Sequence, residues 1–172
     1  MSQIVLETAR LRLRQFAAGD AAFVLELLNE PSWLRFIGDR GVRTLDDARA
    51  YIANGPRAMF ARHGFSLLVV ERLADGAALG MCGLIKRDTL DAPDIGYAFL
   101  PRAWGQGYAH EAAAAMLAHG HSTLGLPRIL AITDPDNATS IKLLEKLGMQ
   151  FIEEIPYEDG GVSRLFEHRQ DT

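Results

Sequence analysis

Apolar and polar positions alternate near the start of the chain. From Leu6 to Phe16 (L-E-T-A-R-L-R-L-R-Q-F), Leu11, Leu13 and Gln15 stand against Arg12, Arg14 and Phe16, predicting an edge-type strand with one wet face. Asp20 can cap a helix through about Leu28, with Phe23, Val24, Leu27 and Leu28 on one side, before Asn29-Glu30-Pro31 stops it. Trp33 to Gly41 mixes aromatic, cationic and glycine residues without a period and reads as a surface loop shaping a pocket. Thr44, with Asp46 and Asp47 in the first turn, opens a second helix that Gly55-Pro56 kinks or splits and that ends by Gly64. Phe65 to Leu73 and Ala77 to Lys86 are β-like runs around an Ala74-Asp75-Gly76 turn, and Asp94 to Leu100 continues the meander.

An alanine-rich helical pattern follows, with Ala109, Ala112, Ala113, Met116 and Leu117 at helical spacing. Pro127 to Thr133 then reads as a buried strand, and Ala138 to Leu147 as a helix closed by Gly148. Gln150 to Pro156 and Val162 to His168 form a hairpin through Glu158-Asp159-Gly160-Gly161. This order predicts one α/β (α+β) domain over residues 1–172, with a mixed, mostly antiparallel sheet of about seven strands and helices on both faces. A hydrophobic content of 48% in 172 residues is enough for a substantial core.

Charge narrows the function classes. The net charge of −4 and the absence of a long basic cluster argue against a nucleic-acid surface and point to a small molecule or short peptide as partner. No apolar run is long enough to span a membrane, and the N-terminus does not read as a signal segment. Cys82 is the only cysteine and lies in an apolar run, so it reads as a buried, inert thiol in a reducing compartment. The expectation is a cytoplasmic protein, monomeric or homodimeric, without metal. His119 and His121 form H-x-H, but residues two apart on a helix point away from each other, so they read as a solvated helix end.

The chemistry gathers between Asp94 and Met116 (D-I-G-Y-A-F-L-P-R-A-W-G-Q-G-Y-A-H-E-A-A-A-A-M), where a strand ends at Pro101 and a loop with Gly105 and Gly107 runs into a helix. The first N–H groups of a helix lack internal partners and carry partial positive charge, and glycines let backbone amides turn toward one anion. A phosphate-bearing ligand is therefore expected. The dinucleotide fingerprint fails because His110 stands where its third glycine belongs, and no Gly-Lys pair exists for a nucleotide-hydrolase loop. Asn137 starts the last helix as a plausible N-cap, with Ser140 one turn further along.

These two segments resemble the GNAT superfamily of N-acetyltransferases, in its ribosomal-protein-alanine acetyltransferase branch. Ile95-Gly96-Tyr97-Ala98-Phe99-Leu100-Pro101 and Trp104-Gly105-Gln106-Gly107-Tyr108-Ala109 with Glu111-Ala112 look like that branch's strand, acyl-coenzyme A loop and helix. The loop usually opens with Arg or Gln, whereas Trp104 stands there in the register that aligns both glycines; Arg102 fits in a register shifted by two. The resemblance implies acetyl-coenzyme A as co-substrate and a splayed strand pair that admits its pantetheine arm. It implies cofactor contacts from Phe99, Leu100, Trp104, Gly105, Gln106, Gly107, Tyr108, Ala109, Asn137 and Ser140, and a carbonyl-polarising N–H in the Phe99 to Leu100 segment. Many members carry a tyrosine acid on the last helix, where this chain has Leu144, so Ser140 is the replacement candidate. Asp94, Tyr97, Glu111 and Glu154 are candidate bases, and Tyr97, with Trp33 and Phe36, a candidate wall of the acceptor site. The implied reaction is direct attack of a primary amine, at a peptide N-terminus or on a small molecule. The alternative is a non-catalytic acyl-coenzyme A sensor.

Overall fold

The computed structural model describes residues 3–157 and 160–170. Its strands form one sheet in the order β1-β2-β3-β4-β5-β6-β8-β7: β1 Ile4–Glu7, β2 Leu11–Arg14, β3 Leu67–Arg72, β4 Ala78–Ile85, β5 Asp94–Phe99, β6 Arg128–Thr133, β7 Gln150–Pro156 and β8 Val162–Arg169. All neighbours are antiparallel except β5 and β6. Eight strands replace the expected seven or so because the N-terminal run folds back on itself. The Thr8 hydroxyl accepts the Leu11 N–H at 3.1 Å while the Thr8 N–H reaches the Leu11 carbonyl at 2.8 Å, closing a turn between two strands. Leu11 and Leu13 are thereby buried inside the sheet against β3, and β1 becomes the edge.

Among the described residues six α-helices flank the sheet: α1 Ala21–Leu28, α2 Pro31–Phe36, α3 Leu45–Ile52, α4 Ala58–His63, α5 Tyr108–Ser122 and α6 Ala138–Lys146. One face carries a core of Leu84, Ile95, Ala112, Ala113, Met116 and Ile129 under α5. The other carries Val24, Leu27, Leu28, Trp33, Ala48 and Ile52 from the first three helices, packed on Val69, Met81 and Leu100. Helix α2 corrects the aperiodic stretch read as loop. Pro31, with its fixed φ and missing N–H, starts the helix, and buried Trp33 anchors it by donating its indole N–H to the Gly38 carbonyl at 3.0 Å. The Gly55-Pro56 break appears as a wider π turn over Ala53–Arg57, because proline cannot donate into the i→i−4 ladder.

Helix α5 lies close on the sheet through small residues. At Gly120 an added Cβ would sit 2.6 Å from Ile129 Cδ1. The strand feeding α5 is fully paired to β4 from Asp94 to Phe99, yet pairs with β6 at one position, Asp94 opposite Leu130. Beyond that point β6 is paired along its length with β8 instead. A gap thus opens inside the sheet between β5 and β6. No helix among the described residues is long and apolar enough to cross a membrane.

Candidate active site

Gly105 and Gly107 have φ of 74° and 79°, the left-handed region that β-carbons disfavour, so glycine is required for this course of the chain. The consequence is a run of unpaired amides. Among the described residues, the N–H groups of Gly105, Gln106, Gly107, Tyr108, Ala109 and His110 make no hydrogen bond, and the first one taken up by the helix is that of Glu111, to the Gly107 carbonyl at 3.0 Å. The Trp104 N–H is different, bonded to the Pro101 carbonyl at 3.1 Å, while its indole donates to the Phe99 carbonyl at 2.8 Å. Trp104 therefore braces the loop against β5, and the amides that follow it stay open to an anion.

Arg10 stands beside this loop. Its guanidinium lies 4.4 Å from the Tyr108 ring centroid and within 3.4 Å of where a Gly107 Cβ would be. It is held there by Glu111, which accepts from Arg10 Nε at 2.7 Å, the Arg10 N–H at 3.0 Å and the Thr8 hydroxyl at 2.6 Å. Partial burial pushes the Glu111 carboxyl up, but the Thr8 and Arg10 hydrogen bonds outweigh it and hold the group below the ordinary carboxylate range. Glu111 is a clamp between β1, β2 and α5 and does not line the cleft. Arg10 was not singled out from the sequence: about a hundred residues separate it from the loop, and only the β2–α5 contact brings them together.

From the loop a cleft of about 600 Å³ follows the gap between β5 and β6. Leu100 donates its N–H to the Leu79 carbonyl at 2.9 Å, and Leu130 donates its own to the Pro93 carbonyl at 2.9 Å. Backbone groups alternate along a strand, so the N–H groups of Tyr97 and Phe99 face the gap and that of Leu100 does not. Within the expected Phe99 to Leu100 segment, the N–H that faces the gap is therefore that of Phe99; the side chains of Phe99 and Leu100 are buried.

The far wall is the start of α6. Asn137 caps the helix, its side-chain oxygen accepting the Ser140 N–H at 3.2 Å, and its NH2 makes no hydrogen bond among the described residues. Ser140 Oγ lies 2.8 Å from the Tyr97 hydroxyl, so the phenol reaches across the gap from β5 to α6. Burial pushes the Tyr97 phenol up to about 12, partly offset by its bond to Ser140. Leu144, in the position where a tyrosine acid is expected by resemblance, is buried and lines the same cleft.

Residues 10–150 match the acetyltransferase (GNAT) domain family. The chain belongs to the GNAT family. It is 34% identical over 149 residues to the uncharacterized protein YkkB of Bacillus subtilis (strain 168), covering 85% of each chain. The uncharacterized N-acetyltransferase YoaA of the same organism is 29% identical over 147 residues, covering 85% of this chain and 82% of YoaA. An acetyltransferase from Agrobacterium tumefaciens str. C58 shares the fold with TM-score 0.82 at 24% identity, over 96% of this chain and 94% of that one. RimL, the ribosomal L7/L12 α-N-protein acetyltransferase in complex with coenzyme A, does so with TM-score 0.82 at 15% identity, over 97% and 98%.

Within this GNAT domain, Trp33 and Phe36 line the cleft from α2, with Arg35 stacked 4.6 Å from the Phe36 ring. Asp94 lines it from the root of the gap. Glu154 is exposed on β7, at the end of the sheet, and Glu158 and Asp159, read as part of the last hairpin's turn, lie outside the described residues. Cys82 is fully buried and its thiol is pushed up to about 12 by burial, which removes it as a nucleophile. His121 is a correction: it is buried, its Nδ1 2.7 Å from the Leu126 carbonyl and its Nε2 2.8 Å from His168 Nδ1. The helix's last turn faces β8 at that point, which the local H-x-H pattern does not reveal. His119 sits half-buried, lowered by desolvation.

Proposed function

We propose that this GNAT acetyltransferase moves the acetyl group of acetyl-coenzyme A to a primary amine by direct attack in a ternary complex. The observation that carries the reading is the set of free amides from Gly105 to His110, aimed by two left-handed glycines at the N-terminus of α5. A diphosphate fits them, because it brings the acceptors that these donors lack. The pantetheine then follows the β5–β6 gap toward Asn137, whose NH2 suits an amide carbonyl. RimL, which shares the fold, is known in complex with coenzyme A, which supports coenzyme A as the ligand.

At the reacting centre, the amine nitrogen forms a bond to the thioester carbon, the carbonyl electrons move onto oxygen beside the Phe99 or Tyr97 N–H, and collapse breaks the C–S bond. The thiolate leaves beside Ser140 and Tyr97. Full proton transfer from a phenol at about 12 to a thiolate of ordinary pKa about 8.5 is uphill by about 5 kcal/mol. The Tyr97–Ser140 pair therefore stabilises the thiolate by hydrogen bonding rather than by donating a proton outright, which suits a leaving group that already departs readily. Trp33, Phe36 and Tyr97 form the walls against which the acceptor, a peptide N-terminus or a small amine, is aligned.

Incubation with acetyl-coenzyme A and a panel of small amines and amine-terminated peptides, followed by thiol release, tests the reading. Release with at least one acceptor is expected. Leu144 in the usual acid's place favours a second reading, a non-catalytic acyl-coenzyme A sensor, and tight cofactor binding with no release from any acceptor would select it. Ser140→Ala separates the two, since an enzyme loses turnover and a sensor keeps its full function of binding.

A further inference from the structure

The acetyl-transfer reading leaves open what takes the proton from the incoming amine, which at neutral pH is an ammonium. We propose that Asp94 is that proton acceptor. The inference rests on the acetyl-transfer reading, on the position of Asp94, on elimination of the other candidates and on its surroundings.

Position comes first. Asp94 is the residue at which β5 and β6 still pair, opposite Leu130, so its carboxylate stands at the root of the gap that the thioester arm enters and lines the same cleft as Tyr97 and Ser140. Its hydrogen bonding is one-sided: Arg87 donates Nε–H to Oδ1 at 3.0 Å and orients the carboxylate, and Oδ2 takes no donor from another side chain among the described residues.

Elimination is the second line. Glu111 has its carboxylate engaged by Thr8 and Arg10 outside the cleft. Glu154 is exposed on the last strand of the sheet. The Tyr97 phenol, pushed up to about 12, remains a donor at any working pH. Of the four candidate bases, Asp94 is the one whose carboxylate both lines the cleft and can take a proton; Glu30 and Asp134 line it from α1–α2 and the β6–α6 turn, away from the residue at which β5 and β6 still pair.

Its basicity follows from its surroundings. Asp94 is 1% exposed, and burial raises it to about 6, against the pull of Arg87 and Lys86 at the end of β4. From the other elements around the cleft, β6 sets apolar Leu130 against it, Glu30, Arg35 and Arg40 come from the α1–α3 side, and Asp134 from the start of the β6–α6 turn. A carboxylate shifted from 3.8 to about 6 is roughly a hundredfold stronger base, yet stays ionised at neutral pH. The step balances as follows. Asp94 Oδ2 takes one proton from R–NH3+, giving the neutral amine and a carboxylic acid. The amine's lone pair forms the C–N bond, the C–S bond breaks, and the proton on the new amide nitrogen leaves with the thiolate or to water. Asp94 then returns its proton to solvent.

The experiment is the pH profile of kcat/KM at saturating acetyl-coenzyme A, with two acceptor amines of different basicity. The expected result is a slope-one loss of rate below about pH 6, with the same midpoint for both amines, because the midpoint belongs to the enzyme. Asp94→Asn should lose about 10²- to 10⁴-fold in kcat while binding acetyl-coenzyme A as the wild type does. If that variant does not fold, the wild-type profile decides alone. A wild-type rate that is level from about pH 5 to 8, or a folded Asp94→Asn variant with near-normal kcat, overturns the assignment while leaving acetyl transfer intact. Absence of transfer to every amine removes the acetyl-transfer reading and this assignment together.

Discussion

Gly107 meets the rest of the site at one dihedral angle. With φ of 79°, the residue turns its own N–H and those of Tyr108 and Ala109 outward, and an alanine there must either adopt the left-handed region or redirect them. The left-handed conformation costs an L-residue about 1–2 kcal/mol, so Gly107→Ala should weaken acetyl-coenzyme A roughly 5- to 30-fold, read by calorimetric titration. The pair Tyr97 and Ser140 belongs to the same scale but to a different step. A hydrogen bond to a charged group contributes about 1.5–3 kcal/mol, so Tyr97→Phe should lower kcat roughly 10- to 100-fold and leave acetyl-coenzyme A affinity unchanged. Unchanged kcat in Tyr97→Phe would show that the phenol only packs.

At the level of elements, the clamp from Thr8 and Arg10 to Glu111 fixes the N-terminal hairpin onto the first turn of α5. Glu111→Ala leaves the Thr8 hydroxyl and the Arg10 N–H without their acceptor and frees the Arg10 side chain. Leaving partly buried donors unsatisfied costs about 1–3 kcal/mol, so the variant should unfold at lower denaturant while its kcat at saturating substrates persists. Loss of kcat with stability retained would return Glu111 to the chemistry. The elements also show what local pattern reveals. The meander, the glycine loop and the Asn137 cap were legible because each depends on neighbours in the chain: a turn, a positive φ, a capping side chain. The fold-back at Thr8 was not, because its alternation continues straight through the turn; α2 was not, because six residues are too few to show a period. Arg10 at the loop, the His121–His168 pair and the partner of the Leu100 N–H depend on contacts between distant strands and helices, which no local spacing encodes.

Across the whole molecule, the gap between β5 and β6, the proposed route of the thioester arm, is a property of how strands are shared. β5 keeps a complete antiparallel partner in β4 and β6 keeps one in β8, so the sheet can open between them at the loss of only the parallel ladder. The cleft is walled by both cores, with α5 on one side of the sheet and α1 to α3 on the other. A chain with net charge −4 has no general attraction for a diphosphate, so the proposed site depends on local groups, the free amides first, with Arg10 beside them. Their resonances in a ¹H–¹⁵N spectrum report that contact directly. On titration with coenzyme A, the amide protons of Gly105, Gln106, Gly107, Tyr108, Ala109 and His110 are predicted to shift downfield together, and pantetheine, which lacks the diphosphate, should leave them in place. Saturable coenzyme A binding that leaves those six resonances unmoved would contradict the account.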